Sequence, residues 1–250
     1  MTYNVGKRKQ EEKRTNIINL VKGSGVDLIV MQELFHQSHP TEDIARNWGE
    51  EIGFDSRFTD KAAIIINNEL LSFKYEPTLH LGNRVMVAHM VYNQSFEFYC
   101  VCVYAPVGPT ENAKFWLDFQ ELKFHTFVVV LGDCNNLINP LVDIIGLSKK
   151  NRSGPRNFCR ALLNMNLQDS FVSKSNKFKY MTRVSKTKTS TGNYGSYIDY
   201  IIVRNMLFEN IKGLRVIISA LSDHRPLAAY LEIPIGQQYE APLMTFPKPV

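Results

Sequence analysis

No stretch of this sequence approaches the roughly 20 consecutive apolar residues that a bilayer-spanning helix needs. The opening "MTYNVGKRKQEEKR" lacks the apolar segment of a secretory leader. A spanning helix is therefore not expected, and an intracellular chain is. Cysteine is scarce: Cys100, Cys102, Cys134 and Cys159 are the only four. None forms a Cys-x-x-Cys pair or joins a histidine cluster at zinc spacing, which excludes a zinc module. Cys100 and Cys102 lie two apart in a strand-like run and are expected as small buried thiols on one face. Internal repeats, low-complexity linkers and domain boundaries are missing too. One domain over residues 1–235 is expected, followed by a proline-bearing tail over 236–250 that is extended or disordered. Negative charge is nearly absent from one region. Between Ile144 and Ile198 the single acidic residue is Asp169, against eleven lysines and arginines. A mixed-sign surface is the ordinary case, so this one-sided run favours a polyanionic partner.

What is present is the material of a sizeable core. The 250 residues are 44% hydrophobic and 21% charged, with a formal net charge of +5 and a pI near 8.9, an ordinary globular balance. Strand-like runs recur at 26–31, 62–67, 83–92, 96–104, 126–132, 197–203, 213–219 and 226–233, rich in β-branched and aromatic residues. "NQS" at 93–95 reads as a tight hairpin connection. Helices are fewer: 10–25, 40–53, 109–124 and 153–166, with Thr41 and Thr110 as N-cap signals and Pro155 near a first turn. Hairpins without strict β–α alternation argue against a purely parallel sheet. The pattern predicts an α+β fold, a four-layer sandwich of two mixed, largely antiparallel sheets flanked by helices.

Polar residues interrupt the apolar runs at strand ends: Asn4 in "TYNVG", Glu33 in "MQE", Asp133 and Asn135 in "LGDCNN", Asp199 in "SYIDY", Asp223 and His224 in "LSDHRPL". Each alone has a commoner use, since Asp and Asn at strand ends serve turns and caps. Together, oxygen donors with few sulfur or imidazole partners favour a hard cation, Mg²⁺ or Mn²⁺. Carboxylates with one histidine suit phosphoryl transfer, which needs charge neutralisation, a base for water and a group on the phosphate oxygens.

"TYNVG", "VDLIVMQE", "VYAP", "LGDCNN", "YIDYIIV" and "LSDHRPL" occur in the order of the motifs of the endonuclease/exonuclease/phosphatase superfamily, which the chain resembles along nearly its whole length. "NRVMVAHMVYN" and "LQDSFVSKSNKFKYMTRV" resemble the endonuclease domain of LINE-type (non-LTR) retrotransposons. The resemblance implies a Mg²⁺-dependent phosphodiesterase that nicks DNA, RNA being left open, with neither membrane nor protein partner, working in the nucleus. It implies Glu33 as principal metal ligand, with Asn4 and Asp223 near the metal or its waters. Asp133 orients and deprotonates water, Asn135 holds a phosphate oxygen, and His224, oriented and kept protonated by Asp199, stabilises charge on the phosphate. Tyr104 is a second phosphate contact and Arg84 matches an arginine of the retrotransposon branch. The segment 185–195 resembles that branch's DNA-reaching hairpin, with Lys186 and Lys188 as phosphate contacts. Where several relatives carry an aspartate two residues after the first asparagine, this chain has Gly6. Two other readings stay open: a phosphatase of small phosphorylated molecules, and an inactive nucleic-acid-binding remnant.

Overall fold

The computed structural model describes residues 1–6, 10–35, 42–139, 143–145, 156–171, 181–189 and 192–233. The first part of the chain forms β1 (Thr2–Asn4), α1 (Gln10–Gly23), β2 (Leu28–Gln32), α2 (Glu42–Ile52), β3 (Asp55–Phe58), β4 (Ala62–Ile66), β5 (Leu71–Phe73) and β6 (Thr78–His80). The central part adds β7 (Val85–Tyr92), β8 (Phe96–Tyr104), α3 (Pro109–Phe119), β9 (Phe127–Asp133), β10 (Ile144–Ile145) and α4 (Arg156–Asn164). The last part forms β11 (Leu167–Asp169), β12 (Arg183–Thr189), β13 (Gly192–Ser196), β14 (Asp199–Arg204), α5 (Asn205–Phe208), β15 (Ile211–Val216) and β16 (Leu227–Leu231).

Alternation along the strands sets the layers. In β2 and β4, Ile29, Met31, Ala63 and Ile65 pack with Ile17, Val21, Trp48 and Ile52 of α1 and α2. Their neighbours Val30, Ala62, Ile64 and Ile66 turn the other way, into a core shared with β7, β8, β9 and β14. The first sheet, ordered β15-β16-β1-β2-β4-β3, is thus covered by helices on one face and by the second sheet on the other. That second sheet runs β11-β14-β9-β8-β7-β5, with β6 also paired to β7. Beyond it lie α3 and α4, where Trp116 meets Phe158 at 4.4 Å and Phe158 meets Tyr200 of β14 at 5.5 Å. Each large sheet is mixed, with one parallel pair, β1–β2 and β8–β9. The expected four-layer α+β sandwich is the observed one.

Local chemistry accounts for the joints. Asn93 and Gln94 both take positive φ, 48° and 58°, the mirror-image turn that matches strand twist, so "NQS" closes β7 and β8 as expected. Gly132 lets β9 approach β8: a Cβ there would stand 1.9 Å from the Val103 carbonyl oxygen. Cys100, Cys102 and Cys134 are buried, and all four cysteines are free thiols. One expectation is corrected. Thr110 does not cap α3; the helix starts at Pro109, whose fixed φ suits the first helical position, so Thr110 falls inside the first turn and the N-cap is Gly108, which has no side chain to make a cap bond. The expected tail at 236–250 lies outside the described residues, as do Thr41 and Pro155. Among the described residues no helix is long and apolar enough to cross a membrane. A third, three-stranded antiparallel sheet, β10-β13-β12, was not anticipated as a sheet.

Candidate active site

Register brings the polar strand ends to one level. Asp199 stands opposite Asp133 across β14–β9, and Tyr104 stands opposite Asp133 across β8–β9. Directly paired residues share a face, so three adjacent strands of the second sheet present these side chains together. The first sheet contributes Asn4 from the end of β1 and Glu33 from just past β2. His224 precedes β16 and is held by an isolated antiparallel bridge to Arg183.

Hydrogen bonds close the constellation. His224 Nδ1 lies 2.9 and 3.0 Å from the two Asp199 carboxylate oxygens, and its Nε2 lies 3.9 Å from Asp133 Oδ2. The Asn4 amide donates to Asp133 Oδ2 across the two sheets at 2.9 Å, and the Asn135 N–H donates to Asp133 Oδ1 at 2.9 Å. Gly6 explains the orientation of Asn4. Its N–H donates to Asn4 Oδ1 at 3.0 Å from a φ of +67°, leaving the amide nitrogen to face Asp133. The Tyr104 hydroxyl donates to Glu33 Oε1, and Arg84 lies over the Tyr104 ring at 5.4 Å. The Asn135 side-chain amide donates to the Ala105 carbonyl at 2.9 Å. Glu33 and Asn135 both hold positive φ, 54° and 46°. Such conformations cost about 1–3 kcal/mol in a non-glycine residue and persist where surroundings enforce them.

Burial separates the ionisation behaviour of the two central groups. Asp133, Asp199 and His224 are all at most 5% exposed. Burial first, then the Asp199 charge, pushes the Asp133 carboxyl up to about 7, against the opposing pull of His224, the Asn135 N–H and the Asn4 amide. For His224, burial disfavours the charged ring, but Asp199 and then Asp133 and Asp223 outweigh it and lift the ring to about 9. A carboxyl that titrates near neutrality beside an imidazole that stays protonated is a matched base and acid. Burial and the Glu33 carboxylate push the Tyr104 hydroxyl well above the phenol range. Asp223 forms an ion pair with Arg183, carboxylate to Nε at 3.1 Å; burial raises its carboxyl, yet His224 and Arg183 prevail and hold it low.

Asp133, Asp199 and His224 place three potential ligand atoms within 4.8 Å of one another. A protonated imidazole has no lone pair for a cation, so within this group the carboxylate oxygens of Asp133 and Asp199 are the atoms that suit a hard divalent ion, while Asn4 turns its amide nitrogen to Asp133 and Glu33 accepts from the Tyr104 hydroxyl. Lys186 and Lys188 lie on β12, and Lys188 is paired with Asn193 across the β12–β13 hairpin. Their side chains lie outside the described set.

Two supporting residues escaped the reading of the sequence. Asn112 of α3 is buried, and its amide donates to the carbonyls of Pro106 (2.8 Å) and Cys134 (3.2 Å) while its oxygen accepts from the Asn136 amide (2.7 Å). It ties the "YAPV" loop to the "DCNN" loop. Its signal was a lone polar residue in the stripe 112, 115, 116 and 119 that α3 otherwise buries as aromatic. Thr182 is buried as well; its hydroxyl accepts the Ile198 and Asp199 N–H groups at 3.2 and 3.1 Å. Nothing local in the sequence marks it.

A model of the endonuclease/exonuclease/phosphatase family matches residues 1–224, and the chain belongs to that family. No curated protein sequence matches it significantly. Among solved structures, it is similar to an AP endonuclease from Archaeoglobus fulgidus, with 18% identity, TM-score 0.69 and coverage of 93% of this chain and 98% of the other. It is similar to the 3′ phosphatase NExo from Neisseria bound to a product DNA hairpin, with 19% identity, TM-score 0.70 and the same coverages of 93% and 98%. An AP endonuclease from Leishmania major matches with 14% identity, TM-score 0.72 and coverage of 93% and 87%. At these identities the likeness establishes the fold.

Proposed function

We propose that this chain is a metal-dependent phosphodiesterase that nicks DNA, of the retrotransposon endonuclease type, acting in the nucleus. The observation that carries this reading is the buried Asp199–His224–Asp133 series at the mouth of both sheets, in which the imidazole is held by Asp199 and turns its other nitrogen toward Asp133. Asp133 takes the proton of the attacking water. The water oxygen bonds to phosphorus while one bridging P–O bond breaks, and the departing oxygen takes up a proton from solvent, leaving a phosphate on one end and a hydroxyl on the other. His224, positive and held by Asp199, stabilises the charge gathering on the phosphate oxygens. By the family resemblance Asn135, Tyr104 and Arg84 would contact that phosphate. By the same resemblance Glu33, with Asn4 and Asp223 alongside, would hold Mg²⁺ or Mn²⁺, which when bound neutralises charge on the phosphodiester. The one-sided basic span and the β12–β13 hairpin support a polyanionic duplex over a small phosphorylated molecule.

Nicking of supercoiled plasmid with Mg²⁺ tests the reading. Wild type should convert plasmid to open circles, while Asp133→Ala and His224→Ala fall by about 10²-fold or more. Equal rates in all three proteins would sink the mechanism. Phosphate release from small phosphorylated molecules without nicking would favour a phosphatase, and salt-dependent DNA binding without turnover an inactive binder.

A further inference from the structure

The base of the β12–β13 hairpin is built into the same hydrogen-bond set that holds Asp199 and His224. Residues 182–184 run between two segments. On one side Arg183 and Val184 pair with Ser196 and Gly195 of β13, and the Thr182 hydroxyl accepts the N–H groups of Ile198 and Asp199. On the other, Arg183 bridges His224, the Val184 N–H donates to the Asp223 carbonyl at 2.8 Å, and the Arg225 N–H donates to the Thr182 carbonyl at 2.6 Å. The Arg183 guanidinium completes the junction by pairing with Asp223. The carboxylate and the imidazole of the site thus sit on opposite flanks of one three-residue segment, and that segment opens directly into the hairpin.

Resting on the phosphodiesterase reading above, we propose that Thr182–Arg183–Val184 is a positioning clamp. Nucleic acid engaging the hairpin sets the Asp199–His224 alignment, so that contact remote from the scissile phosphate raises turnover and not only affinity. The physical basis is the steep dependence of such chemistry on placement. A displacement of about 1 Å can cost on the order of 10²-fold in rate. The base of the hairpin, just before an irregularity in the β12–β13 pairing between Val184 and Lys188, is hydrogen-bonded to both flanks, so movement at this base shifts one of them. Arg183 is the accessible point at which to test this, since its side chain is 43% exposed and replacing it leaves the core intact.

The experiment compares saturating rates on two substrates, a duplex long enough to reach the hairpin and the small diester bis(para-nitrophenyl) phosphate, which cannot. In wild type the duplex kcat should exceed the small-diester kcat. Arg183→Gln should lower the duplex kcat by roughly tenfold with KM for duplex little changed and a wild-type melting transition. It should reduce the ratio of the two rates, and Arg183→Lys, which keeps the charge beside Asp223, should recover much of it. A rise in duplex KM with kcat unchanged would make the hairpin only a grip and overturn the proposal. An equal loss on both substrates would do the same, by showing a defect of the site itself. A wild-type chain that cleaves neither substrate overturns the phosphodiesterase reading and the coupling with it.

Discussion

His224 carries a positive charge in a place where water cannot solvate it, and the Asp199 carboxylate at 2.9 Å is what makes that tolerable. The linkage to stability has a definite sign. The folded-state ring titrates at about 9, above an unfolded value near 6.5, so the protonated ring stabilises the fold fully below about 6.5. That contribution is lost as pH rises through about 9. Asp199→Asn removes the largest attraction and leaves burial in place. The ring pKa should then fall toward or below its ordinary value in an NMR titration, with nicking reduced by about 10²-fold or more. A ring that still titrates near 9 in the variant would dismiss Asp199 as the cause. At this scale much of the site was legible. Asp133, Asn135, Asp199 and His224 announced themselves by interrupting apolar runs at strand ends. Asn112 and Thr182 did not, because they act on main-chain atoms of distant loops, and a bond to a carbonyl 22 residues away leaves no local pattern.

At the scale of elements, the proposed reading assigns the polyanion contact to the β12–β13 hairpin, whose first strand carries Lys186 and Lys188. Each neutralised phosphate contact changes the slope of log affinity against log salt by about 0.9. Replacing both Lys186 and Lys188 with alanine should therefore flatten the slope for duplex binding by nearly two in a fluorescence-anisotropy salt titration. A slope identical to wild type would remove these lysines from the interface. The long strands β7, β8, β9 and β14 were readable because their alternation or apolar density is sustained over six to nine residues. The short ones were not. β3, β5, β6 and β11 are three or four residues long, and pairing with a neighbour, not their own composition, makes them strands. Likewise α3 ends at Phe119, not at residue 124, since nothing in "QELKF" announces a stop.

For the whole molecule, the two tryptophans report on opposite layers. Trp48 packs edge-on to Phe35 at 5.8 Å over the first sheet, and Trp116 lies under the second. The Asn4–Asp133 bond and the shared core join those sheets, so they should unfold as one unit. In Trp48→Phe and in Trp116→Phe, fluorescence and far-UV circular dichroism should give coincident urea transitions. Trp116→Phe should also be destabilised by about 1–3 kcal/mol. Separate midpoints within either variant would show two units. The four-layer arrangement was readable from sequence because apolar content on both faces of the strands demands cover on each side; the order of strands was not, since it depends on long-range pairing. That order matters during synthesis. β1 lies between β2 and β16, Thr2 is paired with Leu227, and His224 comes three residues before that pairing. A nascent chain on the ribosome therefore carries Asn4 and Glu33 long before their partners emerge, and no half-made copy can assemble the centre.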